Sequence, residues 1–251
     1  MWDVIFPENI ECIFCKMPIA KKNKYSICRN CFEKIEFIEE ICKTCGRSGK
    51  NSSLCTYCYS ERYYYDEVYS VLKYNDFMHK IMYEYKYGYK NYMSLYFANM
   101  AEEFIYNNGI EYDYITSVPI SQKRMKNRGF NQSQIIAEKI FKEDRKYIEL
   151  FNRVKHTKFL SKLSNIERVN EIKGAFEINQ TALDSIISNS YNKDEITLII
   201  FDDILTTGAT LNELSKIAKQ SIINLKVIEL TLCNAKNIDK YSSENEKAKN
   251  L

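Results

Sequence analysis

The sequence predicts an α/β protein: a mainly parallel, doubly wound sheet with a small cysteine-rich domain in front of it. Three observations predict this. From about residue 63 onward, short apolar runs rich in β-branched and aromatic residues alternate with stretches of helical periodicity. One such run ends in two adjacent carboxylates and a threonine-rich glycine turn, as a buried strand does at the carboxyl edge of an open sheet. Ahead of these, eight of the nine cysteines fall within the first 60 residues. The expected organisation is a cysteine-rich unit at 1–60, a sheet domain at 61–236 and a polar tail at 237–251.

The cysteines form four identical C-x-x-C pairs: Cys12/Cys15, Cys28/Cys31, Cys42/Cys45 and Cys55/Cys58. Twelve residues separate the first two pairs and nine the last two. A C-x-x-C turn aims both thiolates at one metal, and two turns complete a tetrahedral sulfur shell. A redox pair of the thioredoxin kind would need one such motif inside a βαβ unit. The pattern therefore predicts two zinc ions in consecutive ribbons, with an interleaved pairing of first with third and second with fourth still open. An all-cysteine shell leaves no open position, so the zinc is structural. A segment of about 60 residues buries little surface by itself, and structural zinc supplies roughly 10–16 kcal/mol of apparent binding energy. Cys233, at the end of the run 225–233, reads as a small buried residue.

After Cys58 the run 63–74 reads as one or two strands. Asn75 and Asp76 cap a helix through Tyr85, with Phe77, Ile81, Met82 and Tyr85 at helical spacing. His79 within it reads as surface or core. Gly88 breaks the pattern, and a second helix runs over 92–106. Strands are expected at 113–118, 146–151, 197–201 and near 225, with helices between.

The segment after Val118-Pro119 carries Lys123, Arg124, Lys126 and Arg128 within six positions and ends in Gly129-Phe130-Asn131. It reads as a basic loop at a strand end. There Arg offers two parallel bonds and Lys a point charge to a pyrophosphate. Asn131 is read either as a ligand contact or simply as the N-cap of the next helix, whose Ile135, Ile136 and Ile140 point inward.

The stretch Thr197-Leu198-Ile199-Ile200-Phe201-Asp202-Asp203-Ile204-Leu205-Thr206-Thr207-Gly208-Ala209-Thr210 organises the rest. A helix begins near Thr210. Its first turn presents unpaired N–H groups and the positive end of the dipole, a site for a phosphate dianion. Gly208 allows close approach of the backbone, and Thr206, Thr207 and Thr210 add hydroxyls. Two carboxylates would repel that anion, yet they suit a vicinal diol or a bound cation beside it. A sugar phosphate carries both groups. An ordinary βα turn with a threonine cap is the alternative.

The hydrophobic share of 45% and charged share of 27% are those of a soluble globular protein. The 20 tyrosines, with many Asn, Lys and Ile, read as a compositional bias without functional weight. Net charge is +3, but residues 119–173 hold 14 Lys and Arg against 6 Asp and Glu. A basic middle suits a polyanion such as a pyrophosphate or nucleic acid. The start, Met1 to Pro7, lacks a basic n-region and an apolar core, and no run approaches membrane-spanning length. The expectation is a cytoplasmic protein without membrane insertion.

The Asp-Asp-x-x-Thr-Thr-Gly-Ala-Thr stretch at 202–210 resembles the phosphoribosyl pyrophosphate (PRPP) loop of type I phosphoribosyltransferases. Together with Arg128-Gly129-Phe130-Asn131-Gln132 and the four C-x-x-C pairs, it is similar to the ComF family over nearly the whole chain, from Phe6 to about Ala235. Further matches are Arg153-x-Lys155-x-Thr157, Glu167-Arg168 and Gly174-Ala175-Phe176. Leu160 and Glu171 depart from the family pattern, which puts any acceptor contact there in question. The resemblance implies a type I phosphoribosyltransferase fold with an N-terminal double zinc ribbon. It also implies that Asp202 and Asp203 hold the ribose hydroxyls, and that Thr206, Thr207, Gly208, Ala209 and Thr210 hold the 5-phosphate. Magnesium would enter with PRPP, and Arg124, Arg128 and Lys123 would face the pyrophosphate. Thr206 stands where purine-salvage members usually have a third carboxylate, which argues against purine salvage. The family's part in DNA uptake during natural transformation implies three roles: an enzyme with an unnamed acceptor, a single-stranded DNA binder, or an adaptor for a competence helicase.

Overall fold

The computed structural model describes residues 10–20, 22–47, 58, 63–140, 146–155 and 165–236. Its centre is a four-stranded, all-parallel sheet. In chain order the strands are β1 (Glu67–Lys73), β2 (Tyr114–Ser117), β5 (Ile196–Leu205) and β6 (Leu225–Asn234), and in space they lie β1-β6-β5-β2. β5 and β6 are buried almost throughout, as expected of central strands covered on both faces. Two short strands, β3 (Phe151–Arg153) and β4 (Phe176–Ile178), pair antiparallel beside the sheet.

Helices cover both faces. One face packs Ile199, Phe201, Ile228 and Leu230 against α2 (Asp76–Tyr87), α3 (Met93–Asn107) and α5 (Gln132–Ala137). The other packs Leu198, Ile200 and Val227 against α7 (Gln180–Asn189) and α8 (Ala209–Ser221). α6 (Asn165–Ile172) precedes β4. This is the doubly wound α/β architecture that the alternation predicts. The first cysteine ribbon contributes Cys12, Ile13, Phe14, Ile27 and Cys31 to the α2–α3 core, with Phe14 edge-on to Phe77 at 5.7 Å between ring centres. A single helical turn, α1 (Arg29–Phe32), lies inside that ribbon.

Local signals explain most boundaries. The Asn75 side chain accepts from the Met78 N–H at 2.9 Å and starts α2, and Gly88 ends it. The predicted strand 63–74 is one strand, β1. Three expectations are corrected. β5 does not stop at Phe201: Asp202, Ile204 and Leu205 stay in register with Thr231, Cys233 and Asn234, because β6 is equally long and pairs with them. The basic segment is not a loop but a seven-residue helix, α4 (Gln122–Arg128), capped by Ser121, whose side chain accepts from the Arg124 N–H. The expected strand 146–151 shrinks to one parallel bridge, Ile115 with Tyr147, and the chain then leaves for β3. Of the three inward isoleucines after Asn131, Ile136 and Ile140 are buried and Ile135 only half-buried. Among the described residues no helix is long and apolar enough to cross a membrane.

Candidate functional site: a charged cleft and two cysteine clusters

The carboxyl ends of β2 and β5 open into a cleft of about 590 Å³ roofed by α2 and α4. It is lined by both carboxylates of the central stretch, Asp202 and Asp203, and by four cations, Lys86, Arg124, Arg128 and Arg153. Thr206 and Thr210 form its floor at the start of α8.

The acidic pair is held asymmetrically. Asp203 makes an ion pair with Lys86 of α2 at 2.8 Å, both side chains being largely buried. Asp202 accepts from the Ser133 hydroxyl at 2.9 Å and from the Asp203 N–H at 2.8 Å. Burial pushes the Asp202 carboxyl up to about 7, the Asp203 charge adds to this, and those two donors hold it back. One member of the pair is thus poised to gain or lose a proton near neutrality.

Two of the cations, Arg124 and Arg153, sit where desolvation disfavours them. Burial lowers Arg124, and the neighbouring Arg128 lowers it further. Burial brings Arg153 down to about 10, with Arg124 adding repulsion. Arg153 also lies 5.0 Å over the Phe176 ring. Arg128 donates to the Gln132 carboxamide oxygen at 2.7 Å and to the Tyr87 hydroxyl at 3.1 Å. Guanidiniums crowded into one cleft at mutual cost are compensated by a multiply charged anion.

The turn after β5 is tight and depends on glycine. Gly208 sits at φ 80°, in the left-handed region that only glycine adopts freely, and its carbonyl starts α8 by accepting from the Asn212 N–H. The Thr207 hydroxyl accepts from the Ala209 N–H at 3.3 Å.

The cleft gathers Asp202, Asp203, Arg124, Arg128, Thr206 and Thr210 of the residues singled out in the sequence. Thr207, Gly208 and Ala209 form the turn next to it. Lys123 is exposed on α4 and does not line it. Asn131 is buried as the cap of α5, accepting from the Ser133 N–H and donating to the Val118 carbonyl. Cys233 is fully buried in β6, and His79 lines the cleft. Thr157 and Leu160 fall outside the described residues. Sequence reasoning missed Lys86, Ser133 and Arg153 as cleft residues. The first two come from helices that the sequence marks only by their caps and their apolar faces.

The cysteine clusters settle the pairing for the first ribbon. The sulfurs of Cys12, Cys15, Cys28 and Cys31 lie within 4.8 Å of one another, as do those of Cys42, Cys45 and Cys58. Cys55, the remaining expected ligand, lies outside the described residues. The Cys15–Cys28 and Cys42–Cys58 sulfurs are 3.6 and 3.5 Å apart. Those spacings fit the edges of a tetrahedron with metal–sulfur bonds of about 2.3 Å. Burial opposes ionisation of Cys12 and Cys42, yet backbone N–H donors outweigh it and bring both thiols down to about 7. The pairing is consecutive, and the two clusters fit two structural zinc ions.

The fold and these clusters define a class: a parallel α/β sheet protein with two cysteine knuckles docked onto it. Residues 1–59 match the family described as double zinc ribbon domain. The chain is 23% identical over 214 residues to the DNA utilization protein YhgH of Salmonella typhimurium, covering 82% of this chain and 89% of that one. It is 24% identical over 194 residues to competence protein ComFC of Bacillus subtilis, covering 74% and 75%. Competence protein F of Haemophilus influenzae is 30% identical over 108 residues, 42% of this chain and 44% of its own. The resemblance to the ComF family is borne out: the chain carries a double zinc ribbon and is similar, at modest identity over most of its length, to competence and DNA utilization proteins.

Proposed function

We propose that the cleft binds PRPP or another 5-phosphoribosyl group, and that the protein acts in DNA uptake during natural transformation, in the cytoplasm. The observation that supports this reading is the placement of Asp202 and Asp203 at the end of β5. They lie between the glycine turn that opens α8 and a group of four cations. A ribose 5-phosphate satisfies all three parts. Its phosphate meets the turn residues 206–210, its vicinal hydroxyls meet the carboxylates, and a pyrophosphate on the anomeric carbon meets the guanidiniums.

Pentosyl transfer would break the anomeric C–O bond, the electron pair leaving with pyrophosphate while an acceptor's lone pair forms the new bond. Arg124 and Arg128 would stabilise the departing charge, Arg153 would add to their field, and Lys123 would act only at longer range. Magnesium, were it to enter with the ligand, would be held beside Asp202 and Asp203 and would neutralise part of the leaving group's charge. Lys86 would release Asp203 to the ribose as ligand enters. The acceptor is unassigned. The zinc ribbons hold structure, and through their exposed face would meet a helicase-like partner of the uptake machinery.

Calorimetric titration of PRPP with magnesium into wild type and Asp203→Ala tests this. Wild type should bind, and the variant should lose at least about tenfold in affinity, as removal of a charged hydrogen-bond acceptor does. Equal heats from both proteins, or none from wild type, would refute the reading.

A further inference from the structure

The second cysteine cluster is docked where the sheet gives way to the glycine turn. Gly46, next to the ligand Cys45, has φ 74°, and a Cβ on it would come within 2.5 Å of the Leu205 side chain. Leu205 is the last residue of β5, one position before Thr206. Its register partner in β6, the buried Asn234, donates from its side-chain amide to the Gly46 carbonyl. The Val68 N–H of β1 donates to the Lys43 carbonyl at 2.8 Å. The knuckle is thus pinned to the ends of three strands. The first cluster instead places Cys12 and Cys31 in the core of the opposite face, with Phe97 and Leu230.

Lys236 completes the link. Its backbone N–H donates to the Asn234 side-chain oxygen at 2.8 Å, and its ammonium donates to the Cys45 carbonyl at 2.7 Å. The same ammonium lies 3.4 Å from where a Cβ of Gly208 would stand. One half-buried cation therefore spans from the backbone of a metal ligand to the glycine of the turn. Lys236 does not line the cleft, so it acts on a ligand there only through the turn.

We infer that Lys236 is a positioning residue: it ties the turn at 206–210 to the second zinc knuckle, so that phosphate affinity depends on the metal held with Cys42, Cys45 and Cys58 and not on the first cluster. The inference rests on the sugar-phosphate reading of the turn and adds the element that holds the turn in place. With metal bound, the Cys45 and Gly46 carbonyls are fixed acceptors for Lys236 and Asn234. Loss of the metal lets the knuckle open. Both acceptors then move, and the first N–H groups of α8 lose their alignment on an anion.

The test titrates ribose 5-phosphate by calorimetry into the full zinc-bound chain and its variants at matched fraction folded. Lys236→Met should weaken affinity about tenfold while the chain keeps both zincs. Lys236→Arg, which retains charge and donors, should recover most of that loss. Cys42→Ser should weaken affinity at least as much, whereas Cys12→Ser should stay within about twofold of wild type. The double variant Cys42→Ser with Lys236→Met should bind no more weakly than Cys42→Ser alone, because both cut one link. Wild-type affinity in Lys236→Met overturns the inference, as do equal losses in Cys12→Ser and Cys42→Ser or additive losses in the double variant. If Cys42→Ser does not fold, the two Lys236 variants decide, and a loss that arginine fails to recover overturns it. Wild type that does not bind ribose 5-phosphate removes the sugar-phosphate reading, and this one with it.

Discussion

Lys86 and Asp203 face each other at 2.8 Å across the cleft, one from the last turn of α2 and the other from the end of β5. The pair ties the roof of the cleft to its floor. Each charge is largely withdrawn from water, so each depends on the other. Truncating one partner leaves an uncompensated charge, which costs more than the pair contributes. Lys86→Met should therefore lower unfolding free energy by about 1–3 kcal/mol at neutral pH. The double variant Lys86→Met with Asp203→Asn should recover part of that loss. Urea unfolding of the four proteins in the cycle measures it; full additivity would mean that the two side chains do not interact.

Asp202 gives a pH dependence of definite sign. Its carboxyl is raised from 3.8 to about 7 by burial and by the Asp203 charge. Between those values the folded chain holds a proton that the unfolded chain has released, so stability falls as pH rises through this window. Above pH 7 the full cost is present, and below about pH 4 it is absent. Asp202→Asn should thus be more stable than wild type at pH 8, by up to about 4 kcal/mol, and show no gain near pH 4. Melting temperature against pH for the two proteins checks this. A gain that is flat across the range would place the cause in packing instead of charge.

The strand with its two carboxylates could be read from sequence because its signals are local: an apolar run, adjacent acids and a glycine turn in register. The cysteine pairs were legible for the same reason, each ligand pair lying within one knuckle. The partners of the acids were not. Lys86 lies 117 residues before Asp203, on a helix whose periodicity reveals the buried face and says nothing of what the other face meets. The same blindness hid Tyr83 and Tyr87 of α2 as cleft residues, because a uniformly tyrosine-rich composition masks the few rings that share a cleft. Secondary structure failed where tertiary pairing decides. Asp202 and Leu205 are strand residues only because β6 extends far enough to bond them, and α4 is a helix because Ser121 caps a segment whose charges suggested a loop.

Gly208 carries a prediction about the turn itself. At φ 80° an L side chain is strained by about 1–2 kcal/mol. A Cβ there would lie 3.4 Å from the Lys236 ammonium, an ordinary contact distance, so backbone strain and not collision is the cost. Gly208→Ala should lose about 1 kcal/mol of stability and also weaken ribose 5-phosphate binding, because relief of strain moves the first N–H groups of α8. Gly109→Ala is the control: φ is 59°, nothing lies within 4 Å of the new atom, and the position is remote from the cleft. It should lose similar stability with unchanged affinity. Equal affinities for both variants and wild type would remove the turn from the binding site.

The zinc ribbon is expected to be part of the fold's stability and not an appendage. Cys12 and Cys31, two ligands of the first cluster, are buried in the same core as Phe97, Met82 and Leu230 of the sheet domain. Phe14, between the ligands, packs on Phe77 and Phe97. Removing one ligand leaves three sulfurs and frees this knuckle from its metal, so the aromatic contacts lose their anchor. Cys12→Ser should bind one zinc per chain where wild type binds two, and should unfold at lower urea by a few kcal/mol. Cys233→Ser, buried in β6 outside both clusters, should keep both zincs. Metal content by mass spectrometry alongside urea unfolding separates the cases. A Cys12→Ser chain that loses zinc yet unfolds with wild-type stability would show that the ribbon's metal and the sheet's core are independent.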